Sequence, residues 1–180
     1  WLEKAGEITD YVNDHFMESD TGFYFYTHDA QADVILRKKE VYDGATPSGN
    51  AVMASNLFHL GVVYGKDKYL SLSKQTCFSL LPAITKHPGS FGVWVSVLLY
   101  HLVGTRELTL IGPGVLPYLD AALPLFRPNL ILNISENRLT SISAISKKII
   151  DNQEVTFQLC ENQTCQLHQI TDFDSFLAIV

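Results

Sequence analysis

The sequence predicts an α+β fold that is mainly helical, with antiparallel helical hairpins over residues 1–104 and a small α/β unit over residues 105–180. Three observations support this prediction. Apolar residues in the first part recur at three- and four-residue steps, the period of an amphipathic helix. Short loops separate the predicted helices there, as in helical hairpins. After Gly104 the pattern changes to short β-rich runs that alternate with helical segments.

The first three predicted helices follow from periodicity and end signals. The first spans residues 2–17 and is amphipathic. The second begins near Thr46 and Pro47, because Thr at the N-cap followed by Pro is a strong start signal, and it ends at Gly65. The third spans residues 67–86.

The fourth helix, over residues 90–102, is apolar on nearly all sides, which indicates that other helices cover it. Its 13-residue apolar stretch, Phe91 to Val103, is shorter than the roughly 20 residues of a membrane span. We therefore interpret it as a core helix, with His101 as a core residue rather than a ligand. The side chains that we expect to be almost wholly buried are Phe91, Trp94, Val95, Leu98, Leu99 and Leu102.

The second part alternates predicted strands with predicted helices, which favours a largely parallel sheet. The strands are predicted at residues 108–111, 130–134 and 155–159, and the helices at 115–126, 139–150 and 172–180.

Composition excludes several classes of protein. A hydrophobic fraction of 47% and a charged fraction of 18% exclude collagen-like and disordered chains. A net charge of −6 with 13 Lys plus Arg argues against a nucleic-acid partner. Neither a signal peptide nor a membrane span is visible, so we expect a cytoplasmic protein without a membrane partner. The chain starts at Trp1 inside a predicted helix, and we expect it to be part of a longer protein.

The most informative segment is Asp43-Gly-Ala-Thr-Pro-Ser-Gly-Asn50, which concentrates polar residues at a helix start. The free N–H groups and the positive dipole end of a helix suit an anion or a sugar hydroxyl. Arg37 and Lys39 lie just upstream and could supply cations. The alternative is a tight turn with an N-cap and no ligand. The candidate binding residues are Arg37, Lys39, Ser48, Asn50 and Tyr24, with Tyr42 as a second aromatic ring that could stack on a sugar.

Asp43 is the candidate catalytic residue because it lies inside this segment. Carboxylate chemistry of the glycosidase type would need a second acid facing it across a cleft. Asp20, Asp29 and Asp33 are possible partners, although most loop aspartates serve to form turns.

Cys160 and Cys165 bracket four residues at the end of a predicted strand. They could form a disulfide, supply half of a zinc site with His168 nearby, or be two packed thiols with no special role. We expect them to be reduced in a cytoplasm but close enough to cross-link under oxidation. Cys77 is predicted to lie in the core.

The chain lacks the common cofactor and metal motifs. It contains no Gly-x-x-x-x-Gly-Lys phosphate loop, no His-x-x-x-His spacing and no Gly-x-Ser-x-Gly elbow. The sequence therefore predicts no cofactor and no metal site.

The run from Leu36 to Asn50 resembles the hallmark of large thioredoxin-domain-containing proteins, a family with bacterial members and a mammalian spermatogenesis-associated member. Three further segments are similar to family segments and occur in the same order along the chain. One precedes the run, Asp20-Thr-Gly-Phe-Tyr24. Two follow it, Leu108-Thr-Leu-Ile-Gly112 and the Cys160-x4-Cys165 pair. His168 stands where the family tends to have proline.

The resemblance implies a thioredoxin-like domain followed by an (α/α)6 toroid of the six-hairpin glycosidase type, with this chain as the C-terminal part. Two functions follow. The fragment could contribute part of a carbohydrate-type cavity for a small polar or sugar-like ligand. Alternatively, it could be a non-catalytic structural or interaction module attached to a thioredoxin-like oxidoreductase, with the parent chain's N-terminal thioredoxin-like domain as its partner.

Overall fold

The computed structural model describes residues 1–125, 127–136, 155–161, 164–168 and 176. The chain divides into two compact units, Trp1–Leu102 and Val103–Val180, called here the helical unit and the sheet unit. The fold is α+β and mainly α. The predicted helix at 139–150 and, Phe176 apart, the one at 172–180 lie outside the described residues.

The helices of the first unit are named α1 to α5 in chain order. Their bounds are Leu2–Phe16 for α1, Gly49–Tyr64 for α2, Asp67–Ser79 for α3, Leu81–Lys86 for α4 and Gly92–Val103 for α5. No strand interrupts residues 47–103, all of which the structure describes.

The predicted third helix is in fact two helices, α3 and α4, which meet at Leu80. Pro82 accounts for the break, because proline has no N–H to donate and its ring clashes with the carbonyl four residues earlier. The prolyl ring is instead accommodated in the first turn of α4.

Helices α2 and α3 form a close hairpin. Gly65 ends α2 in the left-handed conformation, with φ of 63°, which glycine adopts without steric cost. Gly61 lets the partner helix approach, since a Cβ there would lie 2.8 Å from Leu70 Cγ. The core of the unit is completed by Phe91, just before α5, and by Trp94 and Val97 of α5, all of which are buried.

The expectation that six residues of this segment are almost wholly buried is wrong for four of them, because Val95 and Leu98 are only partly buried and Leu99 and Leu102 are exposed. Leu99 is 52% exposed and Leu102 is 64% exposed, whereas Phe91 and Trp94 are fully buried as predicted. An apolar sequence identifies a helix that can be covered, but it does not tell which faces the neighbouring helices reach.

The sheet unit contains the strands β1 to β4 and one described helix, α6. Their bounds are Arg106–Ile111 for β1, Leu116–Ala122 for α6, Leu130–Ser135 for β2, Thr156–Glu161 for β3 and Thr164–His168 for β4. The strand order is β2-β1-β3-β4.

The sheet is mixed, so the expectation of a largely parallel sheet is wrong. Among the described strands, only β1 and β2 pair in parallel, with Leu108 opposite Leu132, while β1–β3 and β3–β4 are antiparallel. The last pairing follows from chain length: two residues separate Glu161 from Thr164, and only an antiparallel pair can be joined by so short a connection.

The two cysteines of the sheet unit are partners in the strand pairing, so they are close to each other as predicted. The backbone of Cys160 lies directly opposite that of Cys165 in the β3–β4 ladder. Cys160 is disulfide-bonded, so the expected reduced state is not the one in the structure. Cys77 is a free, buried thiol of α3, and burial raises its pKa to about 12.

Across the part of the chain that the structure describes, every helix is too short or too polar to cross a lipid bilayer.

Candidate functional site

Asp43 joins the start of α2 to the start of α5. Its Oδ1 accepts a hydrogen bond from the backbone N–H of Ser48 at 2.9 Å, and its Oδ2 accepts one from the N–H of Val93 at 2.8 Å. Its own N–H donates to the carbonyl of Ser90 at 2.9 Å. The carboxylate is therefore oriented by two helix N-termini, whose free N–H groups favour a negative charge.

Ser48 is the N-cap of α2, in place of the predicted Thr46. Its Oγ accepts from the N–H of Ala51 at 3.1 Å and donates to the carbonyl of Val41 at 3.3 Å. The helix starts later than predicted because Asp43 holds the Ser48 N–H outside it, with Ser48 in an extended conformation.

Asn50 is buried, with 3% of its surface exposed, and ties two loop segments to α2. Its Oδ1 accepts from the N–H of Tyr24 at 2.6 Å. Its Nδ2 donates to the carbonyls of Tyr24 at 3.0 Å and Glu40 at 2.8 Å. We call Asp43, Ser48 and Asn50 the polar latch, because together they fasten loops to two helices.

Tyr24 lies in the core, where it is 6% exposed and donates a hydrogen bond to Asn13 Oδ1 at 2.6 Å. Burial raises its pKa above the usual range, with a smaller contribution from Tyr69. The predicted stacking role would require this ring to become exposed. Tyr42 is 55% exposed, and its ring lies 5.1 Å from that of Phe91.

Arg37 and Lys39 both lie over the Phe25 ring, at 4.2 Å and 5.3 Å from its centroid. Arg37 Nη2 donates to the carbonyl of Thr27 at 2.6 Å, while Lys39 forms an ion pair with Glu18. The hydrogen bond from Lys39 lowers the pKa of Glu18. The structure thus brings Asp43, Ser48, Asn50 and Tyr24 into one network, and it places the two cations in contacts of their own.

A second group of polar side chains, the histidine cluster, consists of His15, His28 and Asp29. The two imidazole rings are stacked, with centroids 4.5 Å apart. Asp29 Oδ1 lies 3.4 Å from Nδ1 of His15 and 2.8 Å from Nδ1 of His28. All three side chains are partly exposed to solvent.

The backbone fixes the histidine cluster at the C-terminal end of α1. The N–H of Asp29 donates to the carbonyl of His15 at 3.0 Å. Arg37 Nη2 also approaches that carbonyl, at 3.3 Å. Burial alone would raise the pKa of Asp29, but the interactions with His15 and His28 outweigh it and lower the pKa.

Sequence reasoning missed the histidine cluster. His15 belongs to a helix and His28 to a turn 13 residues later, so no short motif links them. The available signal was the aromatic run that follows α1. This run folds back on α1 and so brings the next turn to the end of the helix. That return is visible as the bridge between Met17 and Tyr24.

His101 is a core residue, as expected from its helix. Its Nε2 lies 3.0 Å from Ser73 Oγ, and the Ser73 hydroxyl is 2.7 Å from the carbonyl of Ala54, to which it donates. Burial, and to a smaller extent the charge of Lys74, lowers the pKa of His101 to about 4. Because the serine proton is already donated to a carbonyl, this pair is not arranged as a nucleophile and its base.

Comparison with known sequences finds similar proteins of a single name. The chain is similar to spermatogenesis-associated protein 20 of Rattus norvegicus and of Homo sapiens, with 26% identity over 186 residues in each case. The protein of the same name from Mus musculus gives the same identity.

Each of these alignments covers 96% of this chain and 23% of the relative, so the chain spans about a quarter of the length of these proteins. No family model matches the chain. No solved structure matches it either.

Proposed function

We propose that this chain is the C-terminal part of a large thioredoxin-domain-containing protein and acts there as a non-catalytic structural module. The similarity to spermatogenesis-associated protein 20 over nearly the whole chain supports the first half of the proposal. The resemblance of residues 36–50 to the hallmark of that family supports it independently. The partner of the module would be the N-terminal thioredoxin-like domain of the parent chain.

The observation that carries the structural role is the bonding of the polar latch to the backbone. Both carboxylate oxygens of Asp43 accept backbone N–H groups, and both amide atoms of Asn50 bond to backbone groups. A catalytic carboxylate needs an oxygen directed at its substrate. The hydrogen bonds of these side chains join α2, α5 and two loops.

The test uses Asp43→Asn, which keeps the shape of the side chain and replaces one acceptor with an N–H₂ donor. That donor would face the N–H of Ser48 or of Val93, so we expect a loss of about 1–3 kcal/mol in the free energy of unfolding, measured with urea. Asp20→Asn, on an exposed turn, is the control and should change stability by less than about 0.5 kcal/mol. Equal stability of Asp43→Asn and the parent would contradict the structural role.

We keep a second function, in which the loop lines part of a toroid cavity for a small polar or sugar-like ligand. The observation that favours it is the exposure of Tyr42, the residue before Asp43 in sequence. The ring of Tyr42 lies against that of Phe91. An exposed aromatic ring beside polar side chains suits the apolar face of a sugar. Here Arg37, Lys39 and Asp43 would bind or act on the ligand, with walls supplied by the rest of the parent protein.

The two functions predict opposite results for ligand binding. In the cavity function, Tyr42→Ala and Arg37→Ala abolish saturation-transfer NMR signals from a panel of monosaccharides bound to the parent protein, while unfolding is unchanged. In the structural function, no monosaccharide gives a signal with the parent protein. Of the three variants Tyr42→Ala, Arg37→Ala and Asp43→Asn, only Asp43→Asn then lowers stability.

A further inference from the structure

We propose that His15, His28 and Asp29 form a binding site for a divalent transition-metal ion, with Zn²⁺ as the ion that tests it. The ligand atoms of the three residues all lie within 4.8 Å of one another. Two imidazoles and a carboxylate are a donor set that suits zinc, and three protein ligands leave a position open for water.

The distances are close to those of a metal site. Bonds of about 2.0–2.1 Å to a tetrahedral ion place its ligand atoms about 3.3 Å apart. His15 Nδ1 lies 3.4 Å from Asp29 Oδ1, and His28 Nδ1 lies 2.8 Å from it. The two imidazole ligand atoms lie within 4.8 Å of each other.

The hydrogen bonds of the cluster leave room for a cation. His28 Nδ1 accepts the N–H of Ala30 at 2.9 Å, so its single lone pair would exchange this hydrogen bond for a bond to the metal. The same nitrogen faces an oxygen of Asp29 that also carries lone pairs. His15 Nδ1 is buried and has no hydrogen-bond partner among the described residues. A metal ion would accept the lone pair of His15 Nδ1 and one from Asp29, and it would replace the Ala30 N–H at His28 Nδ1.

The surroundings hold the ligands in place. The ring of Tyr11 lies 4.6 Å from that of His15, and the ring of Phe16 lies 5.4 Å from that of His28 in an edge-on contact. The hydrogen bond from the Asp29 N–H to the His15 carbonyl fixes the turn on the helix end. Supporting contacts of this kind orient metal ligands and raise affinity.

One neighbouring charge opposes a cation. Arg37 Nη2 lies 3.3 Å from the His15 carbonyl, so its positive charge is close to the cluster. The guanidinium donates hydrogen bonds to two carbonyl groups and lies over the face of the Phe25 ring. Removing this charge should therefore tighten metal binding, which gives the proposal a second, independent test.

The experiment is a calorimetric titration of the 180-residue chain with Zn²⁺ after dialysis against a chelator. We expect one equivalent to bind. Asp29→Asn and His28→Ala should each weaken binding by at least about tenfold, whereas Arg37→Gln should strengthen it. His87→Ala, which removes an exposed histidine outside the cluster, is the matched control and should bind as the parent does. Circular dichroism checks that each variant is folded.

Co²⁺ substitution identifies the ligands directly. A visible spectrum without thiolate charge-transfer bands is expected from nitrogen and oxygen ligands, whereas such bands would assign the ion to cysteine and overturn the proposal. Absence of zinc binding to the folded parent would overturn it too, as would equal affinity of Asp29→Asn and His87→Ala. These outcomes do not affect the structural role of the polar latch, which is read from unfolding rather than from metal binding.

Discussion

The polar latch and the histidine cluster lie in the same unit, yet they differ in how their polar atoms are satisfied. In the latch, the side-chain oxygens and amide groups of Asp43 and Asn50 all bond to backbone groups. In the cluster, His15 Nδ1 has no hydrogen bond within the described residues, and His28 Nδ1 faces a carboxylate. Polar groups bonded to the backbone serve the fold, while a polar atom without such a bond is available to a ligand.

The largest effect is expected when the core beneath the latch is removed. Trp94 is fully buried, and its Nε1 donates to the carbonyl of Val41 at 2.7 Å. We expect Trp94→Ala to cost about 3–5 kcal/mol in the free energy of unfolding, measured with urea. Leu102→Ala on the exposed face of the same helix is the control and should cost less than about 0.5 kcal/mol. Similar costs for the two variants would mean that α5 is not central to the unit.

The next effect tests the latch itself. Asn50→Ala removes three hydrogen bonds and leaves the N–H and carbonyl of the buried Tyr24 without that partner. Each buried polar group left unpaired costs about 1–3 kcal/mol, so we expect a total loss of about 2–4 kcal/mol in thermal or urea unfolding.

The matched change in the histidine cluster is Asp29→Asn, which should alter stability by less than about 0.5 kcal/mol because its carboxylate is half exposed. The comparison between the two regions fails if Asp29→Asn destabilises the chain as much as Asn50→Ala does.

The pH dependence of stability distinguishes the hydrogen-bonded His101 from the exposed pair. The pKa of His101 is about 4 in the folded chain, against about 6.5 for a histidine in an unfolded chain. Between these two values the unfolded chain binds a proton that the folded chain does not, so stability falls as pH falls from 6.5 to 4.

The slope contributed by His101 is at most about 1.4 kcal/mol per pH unit. His101→Gln keeps an N–H donor for Ser73 and removes the titration. Urea unfolding of parent and variant at several pH values should therefore give curves that converge as the pH is lowered. A constant difference between them would show that His101 is not buried in its neutral form.

The sequence was sufficient for most of the helices, because their apolar faces and end signals are local. It placed the start of α2 at Thr46, since the carboxylate that displaces the cap to Ser48 acts through tertiary structure. The bond between Asp43 and Val93 spans 50 residues, and no local pattern contains it. The fold class could therefore be predicted from the sequence, whereas the hydrogen-bond partners of the polar residues could not.

The same limit explains the errors in the sheet and in α5. Alternating strands and helices favour parallel pairing, but the short separation of Glu161 from Thr164 makes β3 and β4 antiparallel. Apolar residues all round a helix do not tell which face is covered, and Leu99 and Leu102 are exposed. His15 and His28 come together only because the chain between them folds back on α1.

The placement of the two indole groups makes the chain its own optical sensor. Trp1 is fully exposed at the first residue, whereas Trp94 is sealed in the helical unit and bonded to the loop that carries Asp43. Emission from the inner chromophore should lie to the blue of that from the outer one and should resist quenching by acrylamide. Any ligand or partner that lifts the loop would expose the inner indole, so a red shift in fluorescence would reveal the event without a label.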